Sequence, residues 1–154
     1  MSYVDHVLQP GENLKHRTTV HWMVFFPGLF LLLIAIIVAA NTGATSDPGL
    51  NRYIMIAALL IAAIALLSLL RAWFRRWTTE IAVTDKRVIF KSGFISRSTI
   101  EMNMDKVESV DVAQSILGRI FDYGTIVVRG TGASMEPLRN VQGPIELRNS
   151  IMVH

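Results

Sequence analysis

The chain has 154 residues, 51% of them apolar, a mean hydropathy of +0.41 and no cysteine. It is too apolar for an ordinary small soluble protein, and the lack of cysteine excludes disulfide frameworks and cysteine-ligated zinc, iron–sulfur or thioredoxin-like chemistry. Four scattered histidines leave little for a metal site, and a formal charge of +3 is too small to suggest nucleic-acid binding.

Residues 1–19 are polar and are expected to form a cytoplasmic N-terminal segment. Two uncharged apolar runs follow, Trp22 to Ala40 and Tyr53 to Leu70. At ~1.5 Å rise per residue each reaches roughly the ~30 Å hydrocarbon core of a bilayer, with Arg52 and Arg71 able to snorkel at the ends. A soluble bundle would need a large protein around two helices apolar on every face, and only 84 residues follow the second run. A signal peptide fits poorly, because the first run exceeds the ~7–15 residues of a signal core and a second span follows at once.

Asn41–Asn51, with Gly43, Asp47, Pro48 and Gly49, reads as a turn, so residues 20–76 form a transmembrane hairpin. Lys15 and Arg17 precede the first span, and Arg71, Arg75 and Arg76 follow the second, against Arg52 alone in the turn. The positive-inside rule then puts both termini in the cytoplasm, in agreement with an aromatic belt of Trp22, Trp73 and Trp77 at that interface. These eight residues, Lys15, Arg17, Trp22, Arg71, Trp73, Arg75, Arg76 and Trp77, are the candidates for membrane-interface contact, with non-specific attraction to anionic lipid. Ala35 and Ala39 in the first span, and Ala58, Ala62 and Ala65 in the second, recur at helical spacing and let two backbones approach. Pro27-Gly28 inside the first span predicts a kink.

Beyond Trp77 the apolar period shortens to two. Thr79, Ile81 and Val83 alternate with Glu80 and Ala82, Thr84-Asp85-Lys86-Arg87 reads as a tight turn, and Val88-Ile89-Phe90 returns. Asp85 is expected to accept the backbone N–H groups of that turn. A longer strand from Phe94 to Met104 sets Ile100, Met102 and Met104 against Glu101, Asn103 and Asp105, a solvated face rather than a cation site. The phase slip between Val107 and Val110 predicts a bulge near Glu108-Ser109. Ser115 caps a short helical piece with Ile116, Leu117, Ile120 and Phe121 on its apolar side. Strands follow over Gly124–Gly130 and Met135–Arg139, and Pro144 opens a helix whose apolar residues are Ile145, Leu147, Ile151 and Met152.

Catalytic constellations are missing from the sequence: there is no Gly-x-Ser-x-Gly elbow, no His-Glu-x-x-His and no phosphate-binding loop ending in Gly-Lys-Ser/Thr. No enzyme and no cofactor is expected.

The run Trp77 to Gly93, with Met104-Asp105-Lys106-Val107-Glu108-Ser109-Val110 and Leu117-Gly118-Arg119-Ile120-Phe121-Asp122-Tyr123-Gly124, resembles the bacterial pleckstrin-homology-like (PH-like) membrane proteins of the YdbS/YdbT type. The resemblance implies two transmembrane helices followed by a cytoplasmic PH-like domain over 77–154, a bent antiparallel sheet or partial barrel with a short C-terminal helix. The protein is then expected in a bacterial inner membrane, as a non-enzymatic module for binding protein partners or copies of itself. An accessory structural subunit of a larger membrane complex is the alternative. Phosphoinositide-binding PH domains, similar in fold only, hold the headgroup with several cations on a long first hairpin loop. Here that loop is a four-residue turn carrying Lys86 and Arg87 on neighbouring positions, which point to opposite faces.

Overall fold

The computed structural model describes residues 7–44, 46–93 and 98–152, and they divide into two compact units. One is Trp22–Phe74. The other joins Met1–His21 to Arg75–His154.

In the first unit a 3₁₀ turn, Trp22–Phe25, leads into α1, Phe26–Ala40, and α2 spans Pro48–Thr78. Both are long and apolar enough to cross a membrane, and only 11% of the apolar stretch of each is buried. The expected kink is corrected: Pro27 lies in the first turn of α1, where a helix has no partner for its N–H, so no interior hydrogen bond is lost. The turn is also shorter than Asn41–Asn51, because Pro48 to Asn51 already wind as the first turn of α2. Asp47 fixes that start, its Oδ1 accepting the Gly49 N–H (2.8 Å) and its carbonyl the Asn51 N–H (3.2 Å).

Small residues let the hairpin close. Gly28 and Ala35 are buried on α1, and Ala58, Ala65 and Ala72 on α2, each set spaced by two helical turns. Ala39 and Ala62 are only half-buried. At Gly28 a Cβ would stand 2.7 Å from Leu69 Cδ2 and 3.2 Å from the Leu69 backbone nitrogen, so glycine is what this approach requires.

The second unit contains two antiparallel sheets. The first has the order β1 (Leu14–Thr18), β2 (Glu80–Thr84), β3 (Arg87–Ser92), β4 (Ser98–Asn103). The second pairs β5 (Val107–Ala113) with β6 (Tyr123–Gly130), and β6 in turn with β7 (Ala133–Ser134) and β8 (Leu138–Gln142). The turn at 84–87 forms as expected, and the register of β5 slips between Val107 and Ser109, where the bulge was placed. Residues 94–97 of the expected strand from Phe94 to Met104 lie outside the described residues. The expected strand over Met135–Arg139 is instead divided: Met135 is buried but outside any strand, and pairing resumes at Leu138.

Inward-facing Ile81, Val83 and Val88 of the first sheet meet Val110, Ile126, Val128, Leu138 and Val141 of the second. Alternation and cross-strand pairing put those of β2, β3, β5 and β6 on one face of each sheet, and on β8 the register shift between the Gly124–Val141 and Ile126–Leu138 pairs brings Leu138 and Val141 to the same face. The C-terminal helix α4 (Pro144–Met152) closes the core with Leu147 and Ile151, packing on β1 and β2 as well as β5 and β6. Ile145 and Met152, expected on the same apolar side, are exposed. The sheets join where β1 runs out: Val20 bridges Val141, the His21 N–H donates to the Asn140 carbonyl (2.7 Å), and the Gln142 N–H to the Thr19 carbonyl (3.1 Å). At the opposite corner, among the described residues, β4 pairs only with β3 and β5 only with β6.

The N-terminal stretch is thus not a separate segment. Leu14–Thr18 supplies an edge strand of the domain, and Leu8 packs with Ala82 and Ile89 on the outer face of the first sheet.

Candidate membrane interface

Five of the eight expected interface residues, Arg71, Trp73, Arg75, Arg76 and Trp77, fall on the last turns of α2, which remains helical to Thr78. Spacing of three and four sets Trp73, Arg76 and Trp77 along one side and Arg71 and Arg75 along another. Trp73 and Trp77 are exposed, as is Trp22 at the entry to the 3₁₀ turn. Trp73 also meets Phe74 edge to face, with ring centroids 5.1 Å apart. Arg71 and Arg75 are exposed and Arg76 half-buried; Arg75 Nη2 donates to the Arg139 carbonyl (3.3 Å).

Lys15 and Arg17 lie on β1, both exposed, and Arg17 pairs with Glu80 of the neighbouring strand. Its charge is therefore partly neutralised within the domain. His21 is buried and stacks on Tyr123, with ring centroids 5.3 Å apart. Burial, and then the charge of Arg76, push its pKa below the usual histidine value, which favours the neutral ring.

The first hairpin turn holds what the sequence did not reveal. Arg87 donates from Nε to Glu12 Oε1 and from Nη2 to Glu12 Oε2, both at 2.9 Å, and from Nη1 to Glu101 Oε2 at 2.7 Å. The Glu12 side chain has no solvent exposure, and it also accepts the Thr84 hydroxyl (2.7 Å) and the Gln9 N–H (2.9 Å). Asp85, expected to cap its own turn, instead binds the N-terminal stretch: Oδ1 accepts the Asn13 N–H (3.0 Å), and its own N–H donates to the Asn13 carbonyl (3.1 Å). Thr84 takes over the capping, its hydroxyl oxygen accepting the Lys86 and Arg87 N–H groups. Hydrogen bonding to Arg87 holds the Glu12 carboxyl at about 2 against an ordinary 4.5, and the same contact raises Arg87.

The turn is thus a docking point for residues 7–13, and its arginine is already engaged by two carboxylates. The cleft beside it, about 430 Å³ in volume, is lined by Asp85 and Asp105 as well as Lys86. No group of three acidic or histidine side chains that could hold a metal ion occurs among the described residues. Of the expected polar face, Glu101 and Asn103 lie on β4 and Asp105 in the 3₁₀ turn Met104–Lys106 that follows, and Glu101 is engaged by Arg87.

Two antiparallel sheets, joined at one corner, with no strand pairing at the other among the described residues, and closed by a C-terminal helix, define a PH-like domain. Residues 22–152 match the family model described as Bacterial PH domain, and the chain belongs to that family. The match takes in both apolar helices and leaves out β1 and Glu12. No curated protein and no solved structure matches the chain.

Proposed function

We propose that this is a non-enzymatic protein of a bacterial inner membrane, in which α1 and α2 cross the bilayer and the PH-like domain is presented at the cytoplasmic surface to bind protein partners or further copies of itself. The observation that carries the reading is the exposure of almost the whole surface of two helices of membrane-spanning length and hydropathy, joined directly to a folded domain. Such surface is stable only in lipid or against other apolar helices. The cation count on the cytoplasmic side, and Trp22, Trp73 and Trp77, support the orientation.

Partner binding is supported by the edges of β4 and β5, which among the described residues carry no further strand, since an exposed edge is a template for an added strand. Recognition of a phosphorylated headgroup at the first hairpin is disfavoured by the commitment of Arg87 to Glu12 and Glu101. Lipid contact is then non-specific attraction between anionic headgroups and Arg71, Arg75 and Arg76.

Purification of the full chain in mild detergent, with mass determination by light scattering and mass spectrometry, tests the reading. A discrete monomer or homo-oligomer, or a complex with one small partner, supports a self-standing module. Stoichiometric co-purification with a large membrane assembly assigns the chain to an accessory subunit instead.

A further inference from the structure

The PH-like unit buries its apolar residues efficiently, yet it displays a concentrated apolar group at one place. Ile116, Leu117, Ile120 and Phe121 are 79, 54, 69 and 42% exposed, all within six consecutive residues on the short helix α3 (Ile116–Ile120) and its end. This display is built, not frayed. Ser115 accepts the Gly118 N–H (3.1 Å), and Gln114 reaches the Gly118 and Tyr123 carbonyls (both 3.3 Å). A Cβ at Gly118 would lie 2.6 Å from the Tyr123 carbonyl oxygen, and one at Gly124 would lie 2.9 Å from that of Ala113, so the helix is held closely against the start of β6. The backbone therefore fixes the apolar side chains outward.

We infer that α3 is a wedge that dips into the headgroup region of the bilayer, with Ile116, Leu117 and Ile120 entering the acyl boundary and Arg119 meeting anionic headgroups. The inference rests on the membrane reading above. Three observations select lipid as the occupant. The domain is joined to the apolar helices on both sides by very short connections, Thr18 to Trp22 and Thr78 to Glu80, so it cannot leave the bilayer surface and the lipid is always at high effective concentration. The patch is a handful of residues, against ~20–30 a side in a stable protein interface, while an interfacial helix needs only to bury its apolar face by ~5–10 Å. Finally, an exposed cation, Arg119, lies among the apolar residues, the composition suited to an anionic interface.

The chain has no cysteine, so single cysteines carrying an environment-sensitive NBD label report on the full protein. The positions are Ile116→Cys, Leu33→Cys in the middle of α1 and Ser134→Cys on exposed β7, each in nanodiscs of phosphatidylcholine and phosphatidylglycerol. The expected result is quenching of the label at 116 by a shallow doxyl lipid, of that at 33 by a deep doxyl lipid, and of that at 134 by aqueous iodide alone. Adding Leu117→Gln and Ile120→Gln, both exposed and so harmless to the fold, shifts the inserted-to-exposed ratio at 116 by about tenfold or more and leaves 33 unchanged. If iodide reaches 116 as readily as 134 while 33 still answers to doxyl lipid, the wedge is overturned and the membrane reading stands. If 33 also escapes doxyl lipid, both fail. A label at 116 shielded from both quenchers gives the patch to a protein, which overturns the wedge as well.

Discussion

Glu12 and Arg87, 75 positions apart, form a two-point ion pair through Nε–Oε1 and Nη2–Oε2 contacts of 2.9 Å, with the carboxylate wholly withdrawn from solvent. The pair fastens the N-terminal stretch to the first hairpin turn, and that stretch supplies strand β1. Removing one partner strands the other charge with little water to receive it, so Glu12→Ala should destabilise the PH-like unit by about 3 kcal/mol. Denaturant unfolding followed by strand circular dichroism measures this. In a double-mutant cycle with Arg87→Leu the two losses should fall well short of additive; additive losses would show that the pair is not coupled.

The same contact sets an acid sensitivity. The Glu12 carboxyl titrates at about 2 in the folded chain against 4.5 ordinarily, so its contribution is fully present above the unfolded value and is lost as pH falls from 4.5 towards 2. The shift corresponds to about 3 kcal/mol over that window. His21 acts earlier: its pKa lies below 6.5, so the unfolded chain takes up the proton first and stability declines once pH drops below that value. Unfolding curves between pH 7 and pH 3 should show both regions, with Glu12→Gln removing only the lower one. A Glu12→Gln profile that matches the wild type below pH 4.5 would contradict the assignment.

Gly28 sits where α1 meets Leu69 of α2. Alanine there needs the Leu69 side chain to move, and the nearby Leu69 backbone nitrogen leaves little room; a leucine cannot be accommodated at all. Gly28→Leu should separate the helices at this level, at a cost of about 1–3 kcal/mol. Disulfide crosslinking between cysteines introduced at Gly28-proximal positions of the two helices should fall severalfold in the variant; unchanged crosslinking would show that the backbones do not approach here.

Arg71 and Arg75 are exposed and Arg76 is half-buried on α2, so replacing all three by glutamine leaves no unpaired buried charge. The triple variant should retain its strand circular dichroism. Each cation is worth ~1 kcal/mol against an anionic surface, so the domain's salt-sensitive contact with phosphatidylglycerol should weaken markedly. Loss of the strand signal would show that the cluster is structural.

What could be read from the sequence was local. The two helices follow from composition alone, the 84–87 turn and the Ser115 cap from residues within four positions of one another, and the bulge from a break in alternation at Val107. β1 could not be read that way. Leu14–Thr18 is a short, polar edge strand, Lys15, His16 and Arg17 at its centre, and its partner β2 lies across the whole helical hairpin. Glu12 carried no signal either, since its meaning depends on an arginine 75 positions away. Of the eight expected interface residues, five share the end of α2 because one helix carries them, whereas Lys15 and Arg17 went to a sheet edge that charge counting does not detect.

The central claim is the hairpin that crosses a membrane with both ends of the chain inside, and cysteine accessibility tests it most directly. In this cysteine-free chain, Ser46→Cys lies in the turn between α1 and α2, and Ser150→Cys in α4. The account predicts that, in intact cells whose outer barrier has been made permeable, an impermeant maleimide labels position 46 and leaves 150 untouched until the inner membrane is lysed. Labelling of 150 with protection of 46 would invert the orientation, and equal labelling of both before lysis, with the protein in the soluble fraction, would contradict the claim altogether.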